Sequence, residues 1–346
     1  SAISLTRSPA GAAPISRSIA DDRSMDWINP GTCDIVARGA LSRTRPVHTV
    51  GIIRQSRGHT VADFVGAVDQ GTTSTRFMIF DRSGAEVARG QVEHRQILPR
   101  SGWVEHDPIE LYENTRKTME AALASAGLTA SDLATIGITN QRESVVLWER
   151  ATGRPLHNVI GWQDTRTAEL VTSIGHAAEI REITGLPPAT YFSATKIRWL
   201  LDQDPSLRVR AARGEILAGT VDTWLLWNLT GGDVFATDVT NASRTQLMSL
   251  ETLTWDPRLL ALFGIPAEML PEIRSSSAHF GTATNGVPIE AVIGDQQAAL
   301  FGQTCFDPGD AKHVRHRELH PAQHRRYAVR STHGLLTTVA YRNGDE

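Results

Sequence analysis

The sequence predicts an α/β fold from Val61 onward. Two apolar runs, at 64–68 and 76–80, flank a turn of small residues, which is the pattern of a β-hairpin. Helical spacing of apolar residues follows at 109–123, and short apolar runs typical of buried strands recur further along the chain. With 346 residues and 40% hydrophobic content, the chain is long enough for one large or two ordinary domains.

The elements can be placed in order along the chain. A turn at 81–84 leads to a third strand near 86–92. Asp107 caps a helix with proline in its first turn, and Gly127 ends it. The remaining strands are expected at 134–139, 145–148 and 291–293, and the remaining helices near 165–174, 194–202, 221–229 and 297–301.

The composition excludes several classes of protein. A net charge of −3 gives no field that would favour nucleic acid or an anionic membrane. No apolar run approaches the roughly 20 residues that span a bilayer. Cys33 and Cys305 are far apart in sequence, which gives no disulfide framework and fits a reducing compartment. We therefore expect a cytoplasmic protein with neither a nucleic-acid partner nor a membrane span.

Residues 1–60 differ from the rest of the chain. They are rich in Ser, Arg, Pro and Gly and show little periodicity. Four aspartates and the lack of a clear amphipathic helix argue against a transit peptide. The chain opens at Ser1, and Val61 corresponds to a possible valine start codon. We expect residues 1–60 to be a disordered or mistranslated extension.

The first hairpin has the composition of a phosphate-binding turn. Its predicted tip, residues 71–75, contains only Gly, Thr and Ser, so backbone N–H groups and hydroxyls could approach phosphate oxygens closely. Arg76 adds a cation, and Asp69 at the strand end could hold a metal ion or a metal-bound water. An ordinary polar turn has the same composition. The pattern is shared by actin-like ATPases, heat-shock chaperones and sugar kinases, so it indicates phosphate rather than a particular substrate.

Three further segments carry groups suited to a polyol kinase. Arg142 and Glu143 follow a buried strand and offer a donor fork beside an acceptor, as a hydroxyl requires, although a surface ion pair fits equally. Trp162 stands among polar residues and could pack on a carbon backbone, although most tryptophans lie in cores. Asp295 follows a strand and could accept a hydroxyl proton in phosphoryl transfer. Ligands collect at such strand ends in open α/β sheets.

One stretch makes the interpretation specific. Residues 191–203 match a consensus of the sugar kinases named for a Phe-Gly-Gly-Tyr motif, at Tyr191, Ser193, Lys196, Ile197, Trp199, Leu200, Asp202 and Gln203. The motifs at 141–144 and 162–166 resemble the glycerol-specific branch of this FGGY family rather than its xylulose, ribulose or gluconate kinases. The resemblance runs from Val61 to about Lys312. It implies an actin-like, ribonuclease H-like domain, with a mixed sheet flanked by helices, as the first of two domains.

The resemblance also implies an activity and a set of roles. The activity is ATP-dependent phosphorylation of glycerol to sn-glycerol 3-phosphate with Mg²⁺, and a homo-oligomer is left open. The roles are Mg²⁺ binding by Asp69, nucleotide-phosphate binding by Thr72, Thr73, Ser74 and Arg76, glycerol binding by Arg142, Glu143, Trp162, Tyr191, Asp295 and Gln296, and general-base catalysis by Asp295. Ser243 and Arg244 fit the inner wall of the site.

The resemblance breaks after Lys312. Residues 313–326 replace a second glycine-rich phosphate loop, and their three helically spaced histidines suggest a metal site. We favour a shift of reading frame over a metal site. Three lysines beside 32 arginines indicate GC-rich codons, and such codons for residues 313–326, read one base later, encode the missing loop. We therefore expect 61–312 to be the N-terminal domain, 313–328 a frame-shifted segment, and 329–346 the truncated start of a C-terminal domain. Glycerol phosphorylation would then be impaired or absent, and the alternatives are a non-catalytic remnant or pseudogene product, or a kinase for another polyol or sugar.

Overall fold

The computed structural model describes residues 62–306 and 336–344. The predicted extension at 1–60 and the predicted frame-shifted segment at 313–328 lie outside the described residues, so the proposed domain boundaries stay predictions. Within the described part of the chain, none of the helices combines the length and the apolar character needed to cross a bilayer.

Eleven strands and nine α-helices are interspersed along the described chain. In chain order, the strands are β1 (Phe64–Gln70), β2 (Ser74–Phe80), β3 (Glu86–Glu93), β4 (Glu105–His106), β5 (Leu133–Asn140), β6 (Val145–Glu149), β7 (Val159–Ile160), β8 (Ile216–Thr220), β9 (Ala236–Asp238), β10 (Glu272–Arg274) and β11 (Ile289–Gly294). The helices are α1 (Pro108–Ala126), α2 (Ala168–Ser173), α3 (Ala177–Thr184), α4 (Ser193–Gln203), α5 (Pro205–Ala212), α6 (Val221–Leu229), α7 (Val239–Ala242), α8 (Pro257–Phe263) and α9 (Asp295–Gly302).

A five-stranded mixed sheet organises the domain. Its order is β3-β2-β1-β5-β11; β2 runs antiparallel to both β1 and β3, whereas β5 and β11 run parallel to β1. Asp69 of β1 pairs with Thr139 of β5, which in turn pairs with Ile293 of β11. The carboxyl ends of these three strands therefore meet at one edge, which confirms that the segments carrying Asp69 and Asp295 come together.

A second, antiparallel sheet of order β4-β7-β6-β8 gives the domain a second core. Because successive side chains of a strand point to opposite faces, β6 contributes to both cores. Val146 and Trp148 pack into the core that contains the central sheet and α1, whereas Leu147 packs into the core that contains α4 and α8. The strand is buried on both faces, as its apolar sequence predicts.

The longest helix, α1, forms as the capping pattern predicts. The Asp107 carboxylate accepts hydrogen bonds from the backbone N–H groups of Ile109 and Glu110, and Gly127 ends the helix at a φ of 66°. The predicted apolar face is wrong at Ile109, which is 42% exposed. Two residues along a helix correspond to about 200°, so Ile109 lies opposite the buried Leu111.

Several predicted boundaries change. The strands of the first hairpin reach further into its tip than expected, so Ser74 and Thr75 belong to β2 and the turn narrows to 71–73. The helix predicted at 165–174 begins at Ala168, because the Asp164 side chain accepts the Arg166 N–H (2.8 Å) and holds a turn there. The last helix starts at Asp295 instead of Gln297. The short helices α3, α5, α7 and α8 were not predicted.

Candidate active site

The tip of the first hairpin, residues 71–73, is shaped mainly by its backbone. Gly71 N–H donates to the Ser74 carbonyl (2.9 Å), and the Thr72 carbonyl accepts from Nε2 of His94 (2.8 Å) and of Gln96 (2.9 Å). Thr73 is exposed at the apex, whereas Ser74 is buried within β2. The tip therefore presents Thr72 and Thr73, while the buried Ser74 hydroxyl accepts from Gln91 Nε2 (3.4 Å) on β3.

Arg76 and Asp69 lie side by side across the hairpin. Arg76 Nη1 donates to Asp69 Oδ2 (3.2 Å), and Arg76 Nε donates to Gln91 Oε1 (3.1 Å) on the neighbouring strand. The Arg76 side chain is still 44% exposed, so it remains accessible to an anion. Burial raises the pKa of Asp69, and the adjacent Arg76 guanidinium opposes that rise.

The second carboxylate of the site, Asp295, lies in the first turn of α9. Burial raises its pKa, Arg142 lowers it, and the negative charges of Glu143 and Asp69 raise it further. The charge of Asp69 therefore influences Asp295 across the strand ends. No three His, Cys, Asp or Glu residues converge anywhere in 62–306 or 336–344. Mg²⁺ needs only one or two carboxylates together with waters and phosphate oxygens, so the residues present are compatible with the Mg²⁺ site predicted at Asp69.

Arg142 is locked beside Asp295. Its side chain is 6% exposed, its Nε donates to Asp295 Oδ1 (3.0 Å), and its Nη1 donates to Gln297 Oε1 (3.1 Å). The Gln297 amide in turn donates to the Val339 carbonyl (3.0 Å), which fixes its oxygen toward the guanidinium. A Cβ on Gly294 would lie 2.5 Å from Arg142 Cδ, so only glycine allows this packing.

Glu143 forms a second buried ion pair. Its backbone has a φ of 64°, a left-handed conformation that non-glycine residues seldom adopt. The Glu143 carboxylate accepts from Arg244 Nε (2.6 Å), and its main-chain carbonyl accepts from Ser193 Oγ (3.1 Å). Arg142 and Glu143 are both buried, so the interpretation of these neighbours as a surface ion pair is wrong.

The charged side chains of Arg142, Asp295, Glu143 and Arg244 form a wall, and an aromatic pair lies beside it. The rings of Trp162 and Tyr191 have centroids 5.3 Å apart, and Trp162 is half-buried rather than part of a core. Trp162 Nε1 donates to Thr72 Oγ1 (2.9 Å), which joins the aromatic pair to the hairpin tip. Burial and the nearby Glu143 raise the pKa of Tyr191 to about 12, so its hydroxyl keeps its proton.

Two amides and a lysine complete the site. Gln296 Oε1 is buried and has no hydrogen-bond partner among the described residues, which leaves it available to a ligand. Lys196 is buried, and its Nζ donates to the Tyr191 carbonyl (2.6 Å). Gln297 and Lys196 were not predicted as site residues, although Gln297 follows Gln296 directly and Lys196 belongs to the 191–203 motif. A second polar residue at the start of a small-residue helix is a signal that could have indicated Gln297.

Comparisons with known proteins agree with this geometry. Residues 64–302 match the N-terminal domain model of the FGGY family of carbohydrate kinases. Glycerol kinase 1 of Streptomyces coelicolor is 55% identical over 303 residues, covering 82% of this chain and 59% of that protein. Glycerol kinase of Brucella anthropi is 54% identical over 293 residues, with the same two coverages. The chain thus spans about 59% of the length of these curated relatives.

A solved structure shows the same fold. Plasmodium falciparum glycerol kinase with ADP superimposes with a TM-score of 0.74 at 36% identity, over 82% of this chain and 58% of that one. The actin-like, ribonuclease H-like fold with its mixed sheet flanked by helices is therefore confirmed. The chain belongs to the FGGY family of carbohydrate kinases, and residues 64–302 form the N-terminal domain of that family.

Proposed function

We propose that this chain carries the polyol-binding and base-bearing part of an ATP-dependent glycerol kinase, which converts glycerol to sn-glycerol 3-phosphate. One observation carries the proposal: the 2.9 Å hydrogen bond from Trp162 Nε1 to Thr72 Oγ1. This bond joins Trp162, which is part of the proposed polyol-binding wall, to the hairpin tip that is proposed to bind phosphate. Phosphoryl transfer depends on holding the acceptor hydroxyl and the phosphate in one place, so their adjacency suits a kinase.

The wall provides each kind of group that a small polyol needs. Arg142 supplies N–H donors, Glu143 supplies a carboxylate acceptor, and the Tyr191 hydroxyl can serve as either. The unpartnered Gln296 Oε1 supplies a further acceptor. The Trp162 ring offers an apolar face to the carbon chain of the substrate. Hydroxyls bound in this way exchange hydrogen bonds with water for hydrogen bonds with buried partners, which favours a neutral polyol over an apolar ligand.

Asp295 is the group that we assign as general base. Both Arg142 Nε (3.0 Å) and the Gln296 N–H (2.7 Å) donate to Asp295 Oδ1, which leaves Oδ2 for the substrate. As the terminal hydroxyl oxygen bonds to the γ-phosphorus of ATP, its proton passes to Oδ2, the bond from the γ-phosphorus to its bridging oxygen breaks, and ADP leaves. Burial raises the pKa of Asp295, which makes its carboxylate a stronger base than an exposed aspartate.

The hairpin side of the site would hold the nucleotide phosphates. Thr72, Thr73 and Arg76 would contact phosphate oxygens, with Ser74 contributing its backbone from within β2. Asp69 would hold Mg²⁺ directly or through water, and bound Mg²⁺ neutralises charge that builds on the phosphates. The nucleotide phosphates and Mg²⁺ are thus both proposed to bind at the edge of the central sheet where β1, β5 and β11 end.

We expect the turnover of this 346-residue polypeptide to be low even if glycerol binds. Residues 313–326 do not match the second glycine-rich phosphate loop that the family resemblance implies. Without those donors the transferring phosphoryl group would be held from one side only, and water would be poorly excluded. This stretch lies outside the described residues, and the loss of activity stays a proposal.

Calorimetry and a coupled assay on the full chain would test the proposal. We expect glycerol to bind, and we expect any glycerol 3-phosphate formation to fall by about 10²–10⁴-fold in Asp295→Asn. Asp233→Asn changes an exposed aspartate in the turn after α6 and is the matched control, with wild-type behaviour expected. Absence of glycerol binding, or tighter binding of xylulose, ribulose or gluconate, would contradict the proposal.

A further inference from the structure

Arg244 is a buried cation behind the proposed polyol site. It follows α7, and its side chain is 5% exposed while that of Glu143 is 2% exposed. Its Nε donates to Glu143 Oε1 (2.6 Å), and its guanidinium carbon lies 5.0 Å from the Phe192 ring centroid and 5.6 Å from that of Tyr191. The guanidinium therefore has one carboxylate and two aromatic rings as its surroundings, with little access to water.

Two ion pairs balance the charge of the inner wall: Arg244–Glu143 is buried on both sides, and Arg142–Asp295 joins a buried guanidinium to a carboxylate that is 37% exposed. Arg142 pairs with Asp295 at 3.0 Å, and Arg244 pairs with Glu143 at 2.6 Å. At the hairpin, Arg76 likewise pairs with Asp69. Lys196 lies behind the wall and bonds only to the carbonyls of Tyr191 and Phe192 among the described residues. Burial lowers the pKa of Lys196 to about 7, so it adds at most a fractional positive charge near neutral pH.

This balance matters because the wall is shielded from water. An unpaired charge costs much more in a low-dielectric site than in water, so a ligand that brings its own charge must find an opposite charge to be tolerated. Arg244 also occupies Glu143 Oε1, and no described residue donates to Glu143 Oε2. One carboxylate oxygen is therefore fixed, and the other is left to accept a single hydroxyl.

We propose that Arg244 is a positioning residue that determines specificity: by neutralising and orienting Glu143, it restricts the site to uncharged polyols. The inference rests on the proposed function, because it concerns the same polyol site. It predicts rejection of a three-carbon diol that carries an ammonium group and of one that carries a carboxylate. It also predicts that selectivity follows the net charge of the wall rather than its shape alone.

Single substitutions should shift this selectivity in opposite directions, one toward a cationic ligand and the other toward an anionic ligand. Arg244→Met removes one positive charge and should favour 3-amino-1,2-propanediol, which is protonated at neutral pH. Glu143→Gln removes one negative charge and should favour glycerate. The double variant restores neutrality and should again prefer glycerol, although its affinity is expected to be lower. Arg244→Lys keeps the charge and should keep the wild-type order of ligands.

Titration calorimetry of the full chain with glycerol, the amine and glycerate provides the measurement. Wild type should prefer glycerol over either charged analogue by at least about tenfold. In Arg244→Met, the ratio of amine affinity to glycerol affinity should rise by at least about tenfold. Arg258→Met is the control, because Arg258 forms a surface ion pair with Asp256 and is 63% exposed, and its three affinities should match wild type.

The outcomes separate this inference from the proposed function. If wild type does not bind glycerol, the proposed function fails and this inference fails with it. If wild type binds glycerol and Arg244→Met weakens all three ligands equally or not at all, only the inference is overturned. If circular dichroism shows that Arg244→Met does not fold, Glu143→Gln decides: a raised ratio of glycerate to glycerol affinity supports the inference, and an unchanged ratio overturns it.

Discussion

The hairpin tip and the charged wall lie in contact, yet they are built in different ways. The tip, residues 71–73, is held by backbone hydrogen bonds such as that from Gly71 N–H to the Ser74 carbonyl (2.9 Å). The wall consists of charged side chains, and Arg142, Glu143 and Arg244 are all buried. The tip can therefore tolerate side-chain changes that leave its backbone intact. In the wall, the charged groups proposed to bind the substrate are also each other's ion-pair partners.

The largest expected effect compares one arginine from each region. Arg244→Leu leaves the buried Glu143 carboxylate, 2% exposed, without its ion-pair partner, and we expect it to lower the free energy of unfolding by about 3–5 kcal/mol. Arg76→Leu breaks the exposed pair with Asp69 and should cost at most about 1 kcal/mol. Urea unfolding of both variants, followed by circular dichroism, measures the difference. Equal costs would show that burial of the wall does not determine its contribution to stability.

A smaller effect concerns the support of the hairpin tip. The imidazole of His106 is fully buried, and its centroid lies 5.0 Å from that of His94, which donates to the Thr72 carbonyl. Burial, together with the neighbouring His94, lowers the pKa of His106 to about 4, and burial also lowers the pKa of His94. Both side chains are therefore expected to be neutral in the folded protein near neutral pH.

The sign of the pH effect follows from these shifts. The unfolded chain protonates histidine near pH 6.5, above the pKa of about 4 of folded His106, so stability is fully present above about pH 6.5 and is lost as pH falls toward 4. His106 alone should cost about 2 kcal/mol between pH 7 and pH 5. Urea unfolding at both pH values should show this loss in wild type and a smaller loss in His106→Phe. His279→Gln, at an exposed histidine, should behave as wild type, and an equal loss in all three proteins would exclude the buried pair as the cause.

Local patterns in the sequence predicted the tip better than the wall. The hairpin, the Asp107 cap and the Gly127 stop depend on neighbouring residues, and the structure confirms them. The wall depends on contacts between distant residues: Arg142 reaches Gln297 across 155 positions, and Glu143 reaches Arg244 across 101. Hydrophobic periodicity does not predict contacts between residues so far apart in the sequence. The 141–144 motif located the charged residues, but their partners and their burial required the folded chain.

Other errors have local causes. Ile109 was assigned to the buried face because it belongs to an apolar series, although its angular position puts it opposite Leu111. The short helices α3, α5, α7 and α8 have eight residues or fewer, which is too short for helical periodicity to stand out. The turn at Asp164 depends on a side chain bonding its own backbone, which competes with helix formation.

The smallest expected effect tests the single hydrogen bond that joins the two regions. Trp162→Phe keeps an aromatic ring beside Tyr191 but removes the Nε1 donor, and Thr72→Val removes the acceptor Oγ1. A direct hydrogen bond of this kind is worth about 1 kcal/mol, so each variant should lose a similar amount of unfolding free energy. The double variant should lose less unfolding free energy than the two single variants together, because the hydrogen bond is already absent once either partner has been removed.

The same cycle, repeated for glycerol affinity, shows whether the bond aligns the wall with the tip. Coupling between Trp162 and Thr72 in both stability and affinity would support the adjacency on which the proposed kinase activity depends. Additive losses in glycerol affinity would mean that the aromatic pair binds the polyol independently of the hairpin tip. Thr73→Val is the matched control, because Thr73 is exposed at the apex and should show no coupling to Trp162.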